Sequence, residues 1–264
     1  SNKSWITNQY DQMVMGDTVK RSGSDAAIIR IHNKDKAIAV SVDSSAEYCK
    51  SFPLSGGKQI VCENWRNLIS VGARPLAITN CLNFGNPENK EIMGEFAECL
   101  EGIKDACEFL NYPVVSGNVS FYNGTNKKNI YPTPVIGGVG LIKKLSKPIS
   151  HNFKNENSAL LVVGKTFGHL EQSVFLKENY LIDEGMPPEI NLHNEKNNGE
   201  CLLKLINKNL ILSSHDISSG GLILCLAEMA IGSNIGAKIH KPKKLTNSIN
   251  YFFGEDQARY LIEV

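Results

Sequence analysis

The sequence lacks any long apolar run, because no hydrophobic stretch approaches the roughly 20 residues that a membrane-spanning helix needs. It also lacks an excess of charge of one sign: 28 Lys and Arg residues stand against 27 Asp and Glu residues, and the formal net charge is +1. A near-neutral chain offers no electrostatic basis for binding nucleic acid or an anionic membrane surface. We therefore predict that neither nucleic acid nor membrane is a partner.

Paired cysteines are also missing. The seven cysteines form an odd set without Cys-x-x-Cys spacing, and most lie among apolar residues, as Cys99 and Cys107 do. This usage predicts buried free thiols in a reducing compartment rather than disulfides or a metal site. We therefore expect a cytoplasmic protein.

Both ends of the sequence are abrupt. Residues 1–4 carry no signal-peptide pattern. The alternating, strand-like segment 260–264 stops without a turn or a polar tail. These features predict a truncated piece of a longer protein.

Hydrophobic periodicity predicts strands and helices in both halves of the chain. In the first half it predicts strands at 26–31, 37–42, 76–79, 112–119 and 134–142, and helices at 58–71 and from about 86 to 110. In the second half it predicts a strand at 159–163, an irregular stretch at 183–198, a helix at 199–209, a strand at 210–213 and a helix at 222–230. A polar boundary at 143–157 separates two α+β domains, 1–147 and 148–264, each with a mixed sheet.

Three segments hold more polar residues and glycines than a core needs: 79–87, 116–123 and 214–221. The first can bind an anion at a helix N-terminus, or it is an Asn-rich connection with a helix cap. The second can admit a phosphate and offer amide oxygens to Mg²⁺, or it is a bulge and a turn. The third can cap a helix through Asp216 or Ser218, with or without a ligand. His215 in this segment can act as a base, although a histidine beside a cap is more often a local hydrogen-bonding group.

Common catalytic motifs are missing, since the sequence has no Walker loop, no HExxH and no nucleophilic Ser/His/Asp order. Residue patterns alone therefore predict no more than candidate phosphate and magnesium sites on a two-domain α+β protein.

The polar segments also carry a resemblance to a known family. The matching strings are QYDQ at 9–12, ENWRNL at 63–68, LNFGNPE at 82–88, SGNVS at 116–120, PTP at 132–134 and SHDIS at 214–218. Together they resemble the large component of the glutamine-dependent phosphoribosylformylglycinamidine synthases, in its small bacterial form. The match is to the second half of that component, without its first half and without the last piece of the second domain.

The resemblance implies a fold. Each half of the family's subunit pairs an aminoimidazole-ribonucleotide-synthase-like N-terminal domain with a C-terminal domain of the same superfamily. The N-terminal domains of the two halves pair into a barrel-like core. We therefore expect an α+β chain with a mixed sheet in its N-terminal domain and an incomplete C-terminal domain.

The resemblance also implies a reaction in purine biosynthesis. ATP would phosphorylate the amide oxygen of formylglycinamide ribonucleotide to an iminophosphate, and ammonia derived from glutamine would then displace the phosphate. Such a transfer requires neutralised charge on the phosphoryl group. The implied cofactors are ATP and Mg²⁺. The implied partners are the first half of the same enzyme, a glutaminase subunit and a small accessory subunit.

By motif match, only four residues of this half reach that active site. Asn80 and Gly117 would contact ATP, Asn118 would hold Mg²⁺, and Ser120 would contact the substrate. Asn80 stands where many relatives have Asp, which keeps a hydrogen-bonding group but removes a negative charge. The catalytic histidine and most magnesium carboxylates belong to the missing half, so no catalytic residue is assigned in this chain.

Larger single-chain relatives hold a second nucleotide that is not turned over. The positions that match this auxiliary site form an oxygen-rich set of possible magnesium ligands: Asp25, Glu63, Asn67, Asp216 and Ser218. The alternative is that Glu63 and Asn67, four residues apart, merely share a helix face.

Two other interpretations stay open. The chain can be another ATP-using enzyme of the superfamily, such as aminoimidazole ribonucleotide synthase or a selenophosphate or thiamin-phosphate kinase; full turnover by the chain alone would favour this. It can also be a catalytically silent half that completes an interface and stores a nucleotide. Whether the chain is half of the family's enzyme or a catalytically silent half, we expect it to show no activity on its own.

Overall fold

The computed structural model describes residues 4–10, 12–21, 23–126, 128–145, 149–240, 242 and 247–264. The strands are β1 (Thr18–Lys20), β2 (Ala27–Arg30), β3 (Ala37–Ser44), β4 (Arg74–Asn83), β5 (Val114–Ser120), β6 (Gly124–Thr125), β7 (Lys128–Asn129), β8 (Thr133–Ile142), β9 (Leu160–Val163), β10 (Ser213–Asp216) and β11 (Tyr260–Glu263). The helices are α1 (Ser4–Thr7), α2 (Ala46–Ser51), α3 (Pro53–Ser70), α4 (Lys90–Leu110), α5 (Val174–Tyr180), α6 (Leu192–Asn207), α7 (Gly221–Ile231) and α8 (Ser248–Phe253), with a 3₁₀ turn at Val14–Gly16. Within these ranges no helix has the length and apolar character needed to cross a membrane.

The first sheet is mixed and has two different faces. Its strand order is β1-β2-β3-β8-β4-β5, with β4 and β5 parallel and the other neighbours antiparallel. Alternate side chains point to opposite faces of a sheet, so one face packs under α3 and α4. The other face, called here the open face, carries exposed apolar side chains at Ile29, Ile38, Val42 and Val139. The prediction of a mixed sheet in the first part of the chain is confirmed.

Helices α3 and α4 cross at very short range because small residues meet at their contact. A Cβ atom on Gly57 would lie 2.3 Å from the carbonyl oxygen of Cys99, and one on Gly102 would lie 2.1 Å from that of Leu54. No side chain fits at those distances, so glycine is required at both positions. Helix α3 begins at Pro53, a favoured first helical residue, and is therefore longer at its start than the predicted helix 58–71.

The second sheet has the order β10-β11-β9, and both of its strand pairs are antiparallel. The prediction of a mixed sheet in the second part is therefore wrong for the described residues. The predicted strand 210–213 was also misplaced, because the strand that pairs with β11 is Ser213–Asp216. The polar segment Ser214–Asp216, interpreted from the sequence as part of a candidate helix cap, is thus largely buried strand.

The predicted irregular stretch 183–198 was wrong over its last part. Helix α6 begins at Leu192, and the side chain of its N-cap Asn191 accepts a hydrogen bond from the backbone N–H of Asn194 at 3.0 Å. The first half of α6 is rich in polar residues, and only a few side chains such as Glu195 are buried. A helix that buries a carboxylate lacks the apolar periodicity by which helices are predicted.

The predicted domain limit at residue 147 lies outside the described residues and stays a prediction. The two sheets fall on either side of it in sequence, and α6 of the second part packs on α3 of the first. Arg66 on α3 donates to Glu195 on α6 at 2.7 Å, and both side chains are fully buried. The hydroxyl of Ser214 on β10 also donates to the carbonyl oxygen of Ser70, the last residue of α3, at 2.6 Å. Polar contacts therefore join the two parts through buried atoms.

We expect the Arg66–Glu195 ion pair to be essential for stability. In the variant Glu195→Gln the guanidinium loses its closest charge while it remains buried, and removing one member of a buried pair costs about 3–5 kcal/mol. The matched control is Glu200→Gln on the same helix, which breaks the partly exposed Arg74–Glu200 pair at 3.2 Å and should cost less than about 1 kcal/mol. Urea unfolding of the two variants measures both values. Equal losses would contradict the role assigned to Arg66.

Candidate nucleotide and metal cleft

A cleft of about 840 Å³ opens where the first sheet meets the second part of the chain. The five residues of the predicted auxiliary site all line it: Asp25, Glu63, Asn67, Asp216 and Ser218. They come from four different places in the chain. Asp25 precedes β2, Glu63 and Asn67 lie on one face of α3, Asp216 ends β10, and Ser218 lies in the turn before α7. Folding thus brings together residues up to about 190 positions apart, as the prediction of a common site requires.

One wall of the cleft is a hydrogen-bonded network around Asp43. Its carboxylate accepts hydrogen bonds from the side-chain amides of Asn64 at 2.7 Å and Asn67 at 2.8 Å, and from the Ser41 hydroxyl at 2.8 Å. Burial raises the pKa of Asp43, and these three donors oppose the rise. The amide of Asn67 is therefore held by the protein itself. Asn67 lines the cleft and also shares a face of α3 with Glu63, so its position agrees with both the predicted site and the simpler alternative.

His215 lies between two carboxylates in the same cleft. Its Nδ1 atom is 2.6 Å from Oδ1 of Asp25, and its Nε2 atom is 2.9 Å from Oε2 of Glu228. Burial alone would lower the pKa of His215, but Asp25 and Glu228 outweigh it and hold the pKa well above its usual value. A protonated His215 therefore compensates part of the negative charge of the cleft.

The cleft has more carboxylates than cations to neutralise them. Burial raises the pKa of Glu63 to about 8; Arg66 opposes the rise, and the nearby carboxylate of Asp43 adds to it. Burial and then the charge of Asp25 raise the pKa of Asp216 to about 6. Raised carboxyl pKa values in a cleft mean that negative charge is unfavourable there until a cation arrives.

The donor atoms in this cleft fit a divalent cation. One carboxylate oxygen each from Asp25 and Asp216 lies within 4.8 Å of the other, whereas protonated His215 has no lone pair to offer a metal. The Oδ2 atoms of Asp25 and Asp216 are buried, and neither finds a hydrogen-bond partner among the described residues. Asp216 is 3% exposed, and its Oδ2 atom lies 3.8 Å from Nε of Arg66, so Arg66 and not bulk solvent balances part of its charge. Buried carboxylate oxygens of this kind are hard ligands that suit Mg²⁺.

The predicted ATP contacts lie elsewhere, on strands β4 and β5. Asn80 pairs with Gly117 in the parallel ladder, and a Cβ atom at Gly117 would lie 2.0 Å from Oδ1 of Asn80. The Asn80 side chain therefore lies directly over Gly117, on the side of the sheet that faces α4. Asn80 also lines a cavity of about 400 Å³ whose other walls are mostly apolar residues of α4 and the start of β5.

The predicted magnesium and substrate residues lie on the opposite side of the same sheet edge. Side chains alternate along β5, so Asn118 and Ser120 point away from the face of Gly117. Ser120 is held by Asn123, whose side-chain amide donates to the Ser120 carbonyl oxygen at 2.9 Å. The structure therefore brings the four residues to one edge in two pairs, not into one cluster.

Sequence reasoning missed four charged residues around the cleft: Asp43, Arg66, Glu228 and Glu255. Asp43 and Arg66 carried a usable signal, since each interrupts an otherwise apolar strand or helix pattern and a buried charge needs a partner. Glu228 and Glu255 carried no such signal in the sequence. Glu228 lies on a helix face and Glu255 in a turn, where charged residues are ordinary, and their contacts depend on distant parts of the chain.

Comparison with known proteins identifies the class of protein. Residues 23–142 match the AIR synthase related protein N-terminal domain, and residues 155–264 match the corresponding C-terminal domain. The mixed first sheet with helices on one face, followed by the second α+β part, agrees with these matches. The chain belongs to the AIR synthase related proteins.

Within that family the relatives are more specific. The chain is 58% identical over 262 residues to the phosphoribosylformylglycinamidine synthase subunit PurL of Pelagibacter ubique, and the match covers 99% of this chain and 36% of that protein. A match to the PurL subunit of Bradyrhizobium diazoefficiens is 50% identical with the same coverage. The resemblance predicted from short strings is confirmed, and the chain spans little more than a third of the length of these relatives.

Solved structures give the same picture. PurLQS from Thermotoga maritima superimposes with a TM-score of 0.73 at 27% identity, covering 100% of this chain and 38% of that one. T. maritima PurL complexed with ATP gives a TM-score of 0.68 at 26% identity, with 100% and 38% coverage. T. maritima PurL complexed with FGAR gives 0.70 at 26% identity, with 100% and 37% coverage.

We expect the metal-free protein to lose stability as the pH rises from about 5 to about 8. Glu63 has a folded pKa of about 8 and Asp216 of about 6, against ordinary values of 4.5 and 3.8. In this range the folded state binds more protons than the unfolded state, so the free energy of unfolding falls with rising pH. His215, with its raised pKa, acts in the same direction above its ordinary value.

The variant Glu63→Gln should flatten that dependence, whereas Glu98→Gln on the exposed face of α4 should leave it unchanged. Urea unfolding in a chelating buffer at several pH values measures the slope. A slope that is the same in the wild type and in Glu63→Gln would show that Glu63 ionises normally.

Proposed function

We propose that the chain is the second AIR-synthase-like half of a phosphoribosylformylglycinamidine synthase large subunit, with domains at 1–147 and 148–264. In that role it contributes to the ATP-dependent conversion of formylglycinamide ribonucleotide and glutamine-derived ammonia to the amidine, through an iminophosphate. The identity of 58% to a PurL subunit over almost the whole chain carries this proposal. The proposed partners are the first half of the subunit, a glutaminase subunit and a small accessory subunit, and the proposed location is the cytoplasm.

The edge of the first sheet supports an interface role for this half. Strand β5 forms that edge, and Val115 and Val119 on it are exposed. The open face also carries exposed apolar side chains, at Ile29, Ile38, Val42 and Val139, and exposed apolar surface often marks an interaction site. A second domain of the same fold would cover this surface and complete the site begun by Asn80, Gly117, Asn118 and Ser120.

The chemistry proposed for these four residues is positioning of the nucleotide and the substrate. The 400 Å³ cavity beside Asn80 has a mostly apolar lining suited to a flat ring, and the missing side chain of Gly117 leaves its backbone open to close approach. Mg²⁺ would neutralise the phosphates of ATP. Asn118 offers one oxygen ligand toward it, and the remaining ligands would come from outside this chain.

We expect Asn118→Ala, made in the full-length protein, to lower kcat on the order of 10²-fold, as loss of one preorganised electrostatic contact typically does. The control is Asn118→Asp, which keeps the oxygen donor and should retain most activity. Amidine formation per folded molecule and the melting temperature are measured together. If Asn118→Ala lowers only the melting temperature, Asn118 holds the turn and not the metal.

A second function is favoured by the 840 Å³ cleft: storage of a nucleoside diphosphate with Mg²⁺ that is not turned over. The five residues Asp25, Glu63, Asn67, Asp216 and Ser218 line one space, and the buried Oδ2 atoms of Asp25 and Asp216 accept no hydrogen bond from any described residue. Asp25 and Asp216 would hold the cation, while the hydroxyl of Ser218 would face the phosphates. The catalytically silent interpretation of this half is compatible with such a site.

We expect the full-length protein to bind ADP in the presence of Mg²⁺ at this cleft. Asp216→Asn removes a charged ligand and should weaken binding on the order of tenfold to a hundredfold. Asp105→Asn, at the surface pair with Lys58, serves as the control and should bind normally. Isothermal titration with and without Mg²⁺ measures both affinities. Binding that ignores the metal and the Asp216 substitution would assign the nucleotide to another place.

A further inference from the structure

Glu255 lies behind the cleft in the turn between α8 and β11, and it is only 2% exposed. Its Oε1 atom accepts two backbone hydrogen bonds, from Val174 at 2.8 Å and from Gly220 at 2.7 Å. Its Oε2 atom accepts a third from the hydroxyl of Tyr48 at 3.1 Å. One carboxylate thus joins α2, the start of α5 and the start of α7.

The two backbone donors are N–H groups at helix N-termini. Val174 is the first residue of α5, and Gly220 is the N-cap of α7. These N–H groups have no partner within their own helices, and a negative charge beside them is favourable. The carboxylate therefore occupies the position at the start of α7 that an external anion would otherwise take.

The Gly220 contact fixes the turn that carries Ser218. Gly220 and Gly221 both adopt positive φ, 77° and 67°, and the Gly221 N–H donates to the Ser218 carbonyl oxygen at 3.1 Å. The chain can fold back in this way because neither residue has a side chain. Ser218 lines the 840 Å³ cleft on one side and, with Glu255, a smaller cavity of about 170 Å³ on the other.

We propose that Glu255 is a positioning residue for the cleft: by holding the Gly220 N–H, it places Ser218 where a nucleoside diphosphate in the cleft meets it. This inference rests on the proposed storage of a nucleotide. It adds that Glu255, which lies outside the 840 Å³ cleft, sets the affinity for the nucleotide through the geometry of the turn at Ser218.

The neighbouring Asp256 provides a matched control, because it performs a similar structural task away from the cleft. It is 4% exposed, and its carboxylate accepts from the backbone N–H groups of Phe167 at 2.9 Å, Gly168 at 2.8 Å and His169 at 3.1 Å. None of those three residues lines the 840 Å³ cleft. Loss of either carboxylate should lower the melting temperature, but only loss of Glu255 should disturb the turn at Ser218.

The test measures the affinity of the full-length protein for ADP with Mg²⁺ by isothermal titration, well below each melting temperature. Glu255→Ala and Glu255→Asp remove the acceptor or shorten its reach, and each should weaken binding by about tenfold or more, since small misplacements of a binding group are costly. Glu255→Gln keeps an oxygen at the same reach, and Tyr48 can accept from its amide, so it should bind within about threefold of the wild type. Asp256→Ala should also stay within about threefold, despite its lower stability.

Equal weakening by Glu255→Ala and Asp256→Ala, or normal binding by Glu255→Asp, would overturn the inference. Amide exchange of the segment 217–222 is measured on the same proteins. Faster exchange in Glu255→Asp than in Asp256→Ala supports the claim that Glu255 fixes the turn, whereas absence of ADP binding by the wild type overturns the claim about affinity together with the proposed storage of a nucleotide. Identical exchange in those two variants overturns the inference whatever the affinities are.

Discussion

The rest of the structure depends on one buried guanidinium. Arg66 lies in the middle of α3, its NH1 atom is 2.7 Å from Glu195, and its Nε atom is 3.8 Å from Asp216. All three side chains are buried, so the charge has no solvent to stabilise it and needs these carboxylates. Glu195 belongs to α6 and Asp216 to β10. Placing the partners of Arg66 therefore docks the second part of the chain on the first.

The same constraint makes the cleft acidic. Asp216 lies at the interface beside Arg66, and Asp25, Asp43 and Glu63 line the same cleft. Arg66 is shared with Glu195 and cannot neutralise the whole set. His215 compensates part of the remainder through its contacts with Asp25 and Glu228. A cleft with this surplus of carboxylate oxygens is chemically prepared for a divalent cation and for the phosphates that a cation attracts.

The open face and the cleft are two surfaces with different purposes. The open face carries exposed apolar side chains, and the sheet ends at β5, whose Gly117 lies beside Asn80 on the face that packs against α4. The cleft is lined by carboxylates from both parts of the chain, and it shares Val42 with the open face. The two surfaces thus differ in chemistry: the open face is suited to contact with another apolar surface, and the cleft is suited to a cation.

The sequence by itself determined the long helices, most strands of the first sheet and the family, because these follow from apolar periodicity and from short strings such as 82–88 and 116–120. It also named the five residues of the cleft through that family resemblance. Only the tertiary structure decided that Ser213–Asp216 is a strand, since this segment is polar and gains its place by pairing with β11. It alone put Asn118 on the opposite face from Asn80 and gave Glu255 its three donors. These positions depend on contacts between residues far apart in the chain, and local periodicity carries no information about such contacts.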